Sequence, residues 1–373
     1  MEAGRWQQVL ALARRETAAL FVMQRSDRPW HLPFAAAMAS GVPMAAGAFA
    51  GQPAAGSIGA VAGLSFLYMP PTPLHHRIPI IMACAFAMAA SYAVGVVGNL
   101  LPFLAVGLIA CLAVAATLFC KAQALVPPGP LFMVMTGAIA AFSPVDVTGA
   151  VLHLGYFVMG CIWACLVAVS YSAWQIRRKT PVQPAAPSRR DWERAMVDAV
   201  LTGVMVGVSL LVAQILGFEK PYWVPVSCLA VMQGITLRVS WTRNVHRIVG
   251  TTLGIGLTVL LAPLFGDIRA VVAAVIILTF LIETVVVRHY AFAAIFITPL
   301  TILLAETSSP GASTITVLME ERLVDTIVGA AIGLAGAMGL HSERVRRIVW
   351  RGLSAVLPVG GVRREAGPPA DQP

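Results

Sequence analysis

The chain has 373 residues, 58% of them hydrophobic and 12% charged, and a mean hydropathy of +0.81. A soluble domain carries about 25% charged residues, so half that share over such a length leaves too little polar surface and excludes a water-soluble fold. The formal charge of +9 and the pI of 9.7 do not mark a nucleic-acid partner, because the basic residues lie between apolar runs and not along one patch.

Met1 to Trp30 is mixed and charged, without the compact apolar core and small-residue cleavage site of a signal peptide. It reads as an N-terminal segment, 1–30, whose "WQQVLALARRETAALF" stretch has an interfacial pattern. Apolar runs follow at roughly 31–51, 53–69, 78–98, 100–119, 131–144 and 147–173, a first bundle over 31–174. The linker at 175–195, "QIRRKTPVQPAAPSRRDWERA", is polar and proline-bearing. Six more runs at roughly 196–217, 222–236, 248–265, 269–287, 290–305 and 322–340 form a second bundle over 196–341. A span needs about 20 residues, so several runs are full length and some are short. The tail, 342–373, opens with "ERVRRIVWRGLSAVL", where arginines alternate with apolar residues at helical spacing; it suits an anionic membrane surface.

The expected fold is an all-α polytopic membrane protein with about twelve transmembrane helices. Orientation follows from charge. If both termini and the linker are cytoplasmic, all of the 26 basic residues except Lys220, Arg269 and Arg322 fall inside. The halves also echo each other. "HHRIPI" (75–80) and "VHRIVG" (245–250) lie about 170 residues apart, and "LHLGYFVMG" (152–160) aligns with "ERLVDTIVG" (321–329). Six spans per half make this a parallel duplication, two six-helix repeats joined by a short cytoplasmic linker. Gly47/Gly51, Gly59/Gly63, Gly203/Gly207, Gly250/Gly254 and Gly329/Gly333 are GxxxG pairs suited to close helix packing. The six cysteines sit in or beside apolar runs without CxxC or His/Cys clusters, so they read as inert thiols and no metal or cofactor is expected.

The segment "KPYWVPVSCLAVMQGITLRVSWTRNVHRIVGTTLG" (220–254) resembles the signature of the fusaric acid resistance family, the aromatic acid exporters. It has an aromatic pair opening a span (Tyr222, Trp223), a glutamine near the span's end (Gln233), and an Arg-rich turn running into R-x-x-G-T-x-x-G (Arg247, Gly250, Thr251, Gly254). "RLVDTIVGAAIG" matches the family's R-x-x-D-T-x-x-G through Arg322, Asp325, Thr326 and Gly329. The likeness covers about 120 residues of the second half; the first half shares the layout more than the motifs. Many members carry a sizeable cytoplasmic domain where this chain has a short linker, so it resembles a compact member. The resemblance implies a bacterial inner-membrane exporter of aromatic or other weak carboxylic acids, with a periplasmic adaptor as a partner in some members. Related plant malate channels imply an alternative, a passive anion pore. A homodimer is a further candidate assembly. No GxxxxGK[ST] loop is present, so pumping would draw on an ion gradient or a separate subunit.

Charged residues in apolar runs are the candidate machinery. Arg322 and Asp325, three apart on a helix, can pair, and Glu321 and Asp325 are four apart on one face. Asp325, Glu321, Glu283 and His153 are candidates for proton coupling. Arg322 is a candidate for gripping a substrate carboxylate. The competing reading puts the 320–325 cluster near the outer surface as a helix-start clip, and lets Arg288 or a neighbouring helix neutralise Glu283. Arg238, Arg243 and Arg247 are read as a cytoplasmic positive mouth that concentrates anions, and Tyr222, Trp223 and Trp241 as aromatic surfaces for a substrate ring or as interface-belt residues. The runs opening at Pro53 and Pro221 are short, and Pro299 interrupts another; broken spans of this kind point to a midplane site. No residue set pairs a nucleophile with a base, so an enzyme is not expected, and a non-transporting scaffold remains the third class. A single cysteine placed in the linker after Trp174 is expected to react with an impermeant thiol reagent only from the cytoplasmic side.

Overall fold

A computed structural model describes residues 22–125, 127–176, 192–309 and 314–356. Among them are thirteen α-helices and no strand. In the first bundle these are α1 (His31–Phe49), α2 (Pro53–Ala62, continued by a 3-10 turn over Gly63–Tyr68), α3 (Leu74–Leu100), α4 (Ala105–Ala122), α5 (Leu131–Ala141) and α6 (Val147–Ile176). The second holds α7 (Trp192–Ile215), α8 (Trp223–Met232), α9 (Leu237–Leu261), α10 (Ile268–Val285), α11 (Tyr290–Ser308) and α12 (Ile315–His341), followed by α13 (Glu343–Val356). The chain is an all-α, polytopic membrane protein.

The first twelve helices occupy the twelve apolar runs, but only nine are long and apolar enough to cross a bilayer. The segments Pro53–Tyr68, Leu131–Ala141 and Trp223–Met232 are shorter. Proline explains one start: Pro53 opens α2 as its first residue, where a missing N–H costs nothing. Two other helices begin earlier than hydropathy suggests. Thr236 caps α9 by accepting a hydrogen bond from the Val239 N–H at 3.2 Å, and Thr314 caps α12 through the Val317 N–H at 3.4 Å. The charged stretches ahead of these apolar runs are therefore helical. Arg247 and Asp325 each lie ten residues inside a helix, about 15 Å from its start at 1.5 Å per residue.

Of the first twelve helices, six starts and six ends gather at one end of the molecule. There Arg77 at the start of α3 donates to Ser172 and Gln175 at the end of α6. Arg28, before α1, reaches the end of α10, and Gln233 after α8 donates to the Pro128 carbonyl between α4 and α5 at 2.9 Å. At the opposite end Tyr156 donates to Gln52 at 2.7 Å and Asn99 to the Ser143 carbonyl at 2.7 Å. The first end is the basic one: it carries Arg25, Arg28, Arg77, Lys121, Arg194, Arg238, Arg288 and the arginines of α13.

The helices pack in a pattern that recurs six helices along the chain. α3 crosses α5 as α9 crosses α11; α2 lies on α6 as α8 lies on α12; α3 meets α6 as α9 meets α12. Between halves, α4 packs on α7 and α10 on α1. The expected α13 is present, with Arg344, Arg347, Ile348 and Arg351 exposed along one stripe and contacts to α7 and α12. The interfacial pattern read in the first 21 residues, most of the linker and the chain beyond Val356 lie outside the described residues.

Glycines set the closest crossings. A Cβ on Gly329 would stand 2.4 Å from the Val224 carbonyl oxygen, and one on Gly333 would stand 2.5 Å from that of Cys228, both on α8. Gly250 and Gly254 sit as closely against the Ala291 and Ile295 carbonyls of α11. Gly203 and Gly207 meet α4 at Ala110, and Gly63 meets the Ala39 carbonyl of α1. Gly47 abuts Gly56 of α2, whereas Gly51 lies in the following turn at φ +72° with no atom against it. Gly329→Val should therefore lose at least the ~1–3 kcal/mol typical of overpacking, read as a lower melting temperature in detergent. Gly256→Ala, facing open space on the same bundle, should leave the melting temperature unchanged or raise it.

Candidate functional site

The site is built on four helices of the second bundle. α12 contributes Arg322, Asp325 and Thr326; α8 and the residue before it contribute Tyr222, Trp223 and Ser227; α9 contributes Arg247; α11 contributes Tyr290. Arg322 is 2% exposed and Asp325 1%. One guanidinium nitrogen of Arg322, Nη1, donates to both Asp325 oxygens, at 3.0 and 3.1 Å. Ser227 Oγ donates to Asp325 Oδ1 at 3.3 Å and accepts from Arg247 Nη2 at 2.9 Å. Thr326 also donates to Asp325 Oδ1, at 3.2 Å, and Arg247 Nη1 donates to the Tyr290 hydroxyl at 3.0 Å. The Arg322 guanidinium lies over the Trp223 ring, 4.9 Å from its centre, a placement that favours a cation.

Two guanidiniums thus share one carboxylate. In this buried cluster the charges of Arg247, Arg322 and Asp325 leave one positive charge over. The Nε atoms of Arg247 and Arg322 are buried and have no hydrogen-bond partner. A buried cation with an unused N–H is costly. An anion entering here would find both a surplus charge and free donors, and guanidinium suits carboxylates.

Several expectations change. The 320–325 cluster does not sit at the surface as a unit: Glu320 is exposed, while Arg322 and Asp325 are mid-helix and sealed. Glu321 does not face Asp325 as a second carboxyl. Its oxygens accept the backbone N–H groups of Glu219 (2.6 Å) and Lys220 (3.2 Å), tying α12 to the turn before α8. Arg247 is not part of a mouth, because the early start of α9 carries it into the bundle. Arg238 stays exposed, and Arg243 is half-buried, 5.9 Å over the Tyr290 ring. Tyr222 and Trp223 are buried, and Trp223 already covers Arg322; Trp241 is exposed, away from the cluster. Gln233 serves the loop between α4 and α5 through Pro128.

Glu283 is buried at the basic end and pairs with Arg28, not Arg288, at 2.9 Å. His153 is half-buried on α6, outside the cluster, with Nδ1 unpartnered. Gly250, Thr251 and Gly254 lie along the face of α9 that packs against α11; Gly329 and Gly333 lie on α12 against α8. Sequence reasoning missed Ser227 and Tyr290, neutral residues whose role appears only once four helices converge. No group of three or more His, Cys, Asp or Glu side chains that could hold a metal exists among the described residues.

Residues 208–336 match the family model for fusaric acid resistance protein-like proteins, a region running from within α7 to within α12. Over its second bundle the chain is similar to fusaric acid resistance protein-like proteins. The matched region contains every residue of the buried cluster. The uncharacterized membrane protein YvaC of Bacillus subtilis (strain 168) is 33% identical over 152 residues, 40% of this chain and 24% of that protein. The match thus spans about a quarter of that relative's length. No solved structure matches the chain.

Within the fusaric acid resistance-like region, Asp325→Ala would leave two buried guanidiniums without a counter-charge. Breaking a buried pair on one side costs about 3–5 kcal/mol. The fall in melting temperature should be partly reversed by benzoate or chloride, which would supply the missing charge. A fall of the same size with and without added anion would show that the cluster does not take one.

Proposed function

We propose that this protein exports weak organic acids, aromatic carboxylates foremost, across the bacterial cytoplasmic membrane, and that the Arg247–Arg322–Asp325 cluster is where the carboxylate binds. The observation that carries the reading is the surplus buried positive charge with unpartnered guanidinium N–H groups. The fusaric acid resistance-like match over the same residues supports it. The basic end of the helices faces the cytoplasm in this reading, in line with the distribution of lysine and arginine, with N- and C-termini on that side.

Proton coupling follows from competition for one guanidinium. While Asp325 is ionised it occupies Nη1 of Arg322. Protonated, it releases that donor and doubles the surplus charge, so a proton on Asp325 and a carboxylate on the arginines favour each other. The acid then crosses as anion plus proton, so net flux follows the combined gradients of acid and proton. Export runs while acid accumulated in the cytoplasm outweighs the inward pull on the proton, and an imposed pH gradient alone moves the acid with the protons. Ser227 hands the change in Asp325 to Arg247, since it bonds to both.

The second reading is a passive anion pore, favoured by the same surplus charge when Asp325 never releases Arg322. Proteoliposomes separate the two. The expected result is benzoate movement against its own gradient when a pH gradient is imposed, lost in Asp325→Asn at matched amounts of reconstituted protein. A current carried by the anion and indifferent to pH would establish the pore. Gradient-driven movement that persists in Asp325→Asn would remove this residue from coupling.

A further inference from the structure

The two bundles meet chiefly along two seams, α4 on α7 and α1 on α10, with smaller contacts of α2 on α11 and α5 on α8. Through most of their length both seams are apolar or glycine-lined. Gly203 and Gly207 of α7 meet Ala110 and Val114 of α4, and Gly41 of α1 meets Ile276 of α10. At the basic end each seam closes with an ion pair. Lys121, near the end of α4, pairs with Asp198 near the start of α7. Arg28, just before α1, pairs with Glu283 near the end of α10 at 2.9 Å and also donates to the Glu283 carbonyl at 3.1 Å.

The two pairs correspond. Arg28 and Asp198 are 170 residues apart, the repeat spacing, and Lys121 and Glu283 fall in the last turn or so of α4 and α10. Both cations come from the first bundle and both acids from the second. No such pair closes either seam at the opposite end among the described residues. Asp198 is also held by Arg346 of α13 at 2.6 Å, so the second pair is anchored to the helix that follows the bundle.

We propose that these two pairs are the latches of a cytoplasmic gate, and that the structure is the state in which the gate is shut. Breaking both, with release of the Gln233 bond to the Pro128 carbonyl, would let the seams part at the basic end while the glycine-lined contacts farther along hold the bundles together, opening a route to fully buried α8 and the cluster beside it. Because the pairs have the same polarity, separation exposes two cations on one bundle and two acids on the other, each available to water. Rebinding restores the closed form without any change in net charge. α13, through Arg346, keeps Asp198 positioned while Lys121 is away.

The inference rests on the transport reading, yet its first test needs no substrate. Cys228 lies on α8 beside Ser227 and is fully buried. In a full-length protein that keeps Cys228 as its single cysteine, an impermeant maleimide added to inside-out vesicles should label slowly. Arg28→Gln with Lys121→Gln should raise that rate at least fivefold, and placing the reciprocal exchange Arg28→Glu with Glu283→Arg on the Lys121→Gln background should return it to within twofold of Lys121→Gln alone. An unchanged rate in the neutralised protein, or a rate that stays high in the exchanged one, would overturn the gate. Should the neutralised protein fail to accumulate, Lys121→Cys with Asp198→Cys decides: a cross-link between them should stop transport reversibly, and undiminished transport in the cross-linked protein would overturn it equally. Loss of the transport reading would leave the labelling result standing, so the two failures are distinguishable.

Discussion

A charge inside a bilayer-spanning bundle has to be matched, and this constraint organises the second half of the molecule. An isolated ion at mid-membrane costs roughly 2.5–3.5 kcal/mol on insertion scales, more on others. Here two guanidiniums and one carboxylate are held by neighbours that each supply a specific compensation. Trp223 gives Arg322 a π face, Ser227 connects Arg247 to Asp325, and Tyr290 accepts from Arg247. The packing motif and the charge motif are one device. Gly329 stands one turn beyond Asp325, and its missing Cβ lets α12 approach the Val224 carbonyl and the Ser227 side chain. A larger residue there would push Asp325 away from Ser227.

Much of this fold is legible in the sequence, because hydropathy reports directly on which residues avoid water. All twelve apolar runs are helices, and the three short ones were already short as runs. Where hydropathy misleads, charge is the reason. "LRVSWTRNVHR" ahead of α9 and "ITVLMEE" ahead of the apolar core of α12 contain residues that depress an average, although capped helix continues through them. That error placed Arg247 and Asp325 near surfaces. The Arg322–Asp325 pair was visible from its spacing alone, since i and i+3 share a helix face. Ser227, Tyr290 and the partner of Glu283 were not, as they come from elements 20 to 255 residues distant.

The first bundle repeats the packing and drops the chemistry. Arg77 stands where Arg247 does by spacing, yet it bonds to the Thr72 carbonyl, Ser172 and Gln175 at the basic end. Ser57, the counterpart of Ser227, donates to its own helix at Ala54. Tyr156 takes the place of Asp325 and bonds to Gln52. With no buried carboxylate to share, the first bundle needs no second guanidinium. Its small residues instead serve close crossings, as at Gly95, where a Cβ would stand 2.0 Å from the Gly137 carbonyl.

The crossing of α8 and α12 is not equally stiff along its length. At Gly329 and Gly333 the nearest neighbours are backbone carbonyl oxygens of α8, which cannot yield. One turn farther, a Cβ on Gly336 would meet the thioethers of Met232 and Met205 at 2.8–3.0 Å, and Met232 also touches the Cys228 sulfur at 3.7 Å. Thioether chains change rotamer at little cost. Any rocking of α12 against α8 therefore has its fulcrum at Gly329–Gly333 and its free swing toward the sulfur-padded side, leaving Arg322 and Asp325 on the opposite arm, close to the pivot.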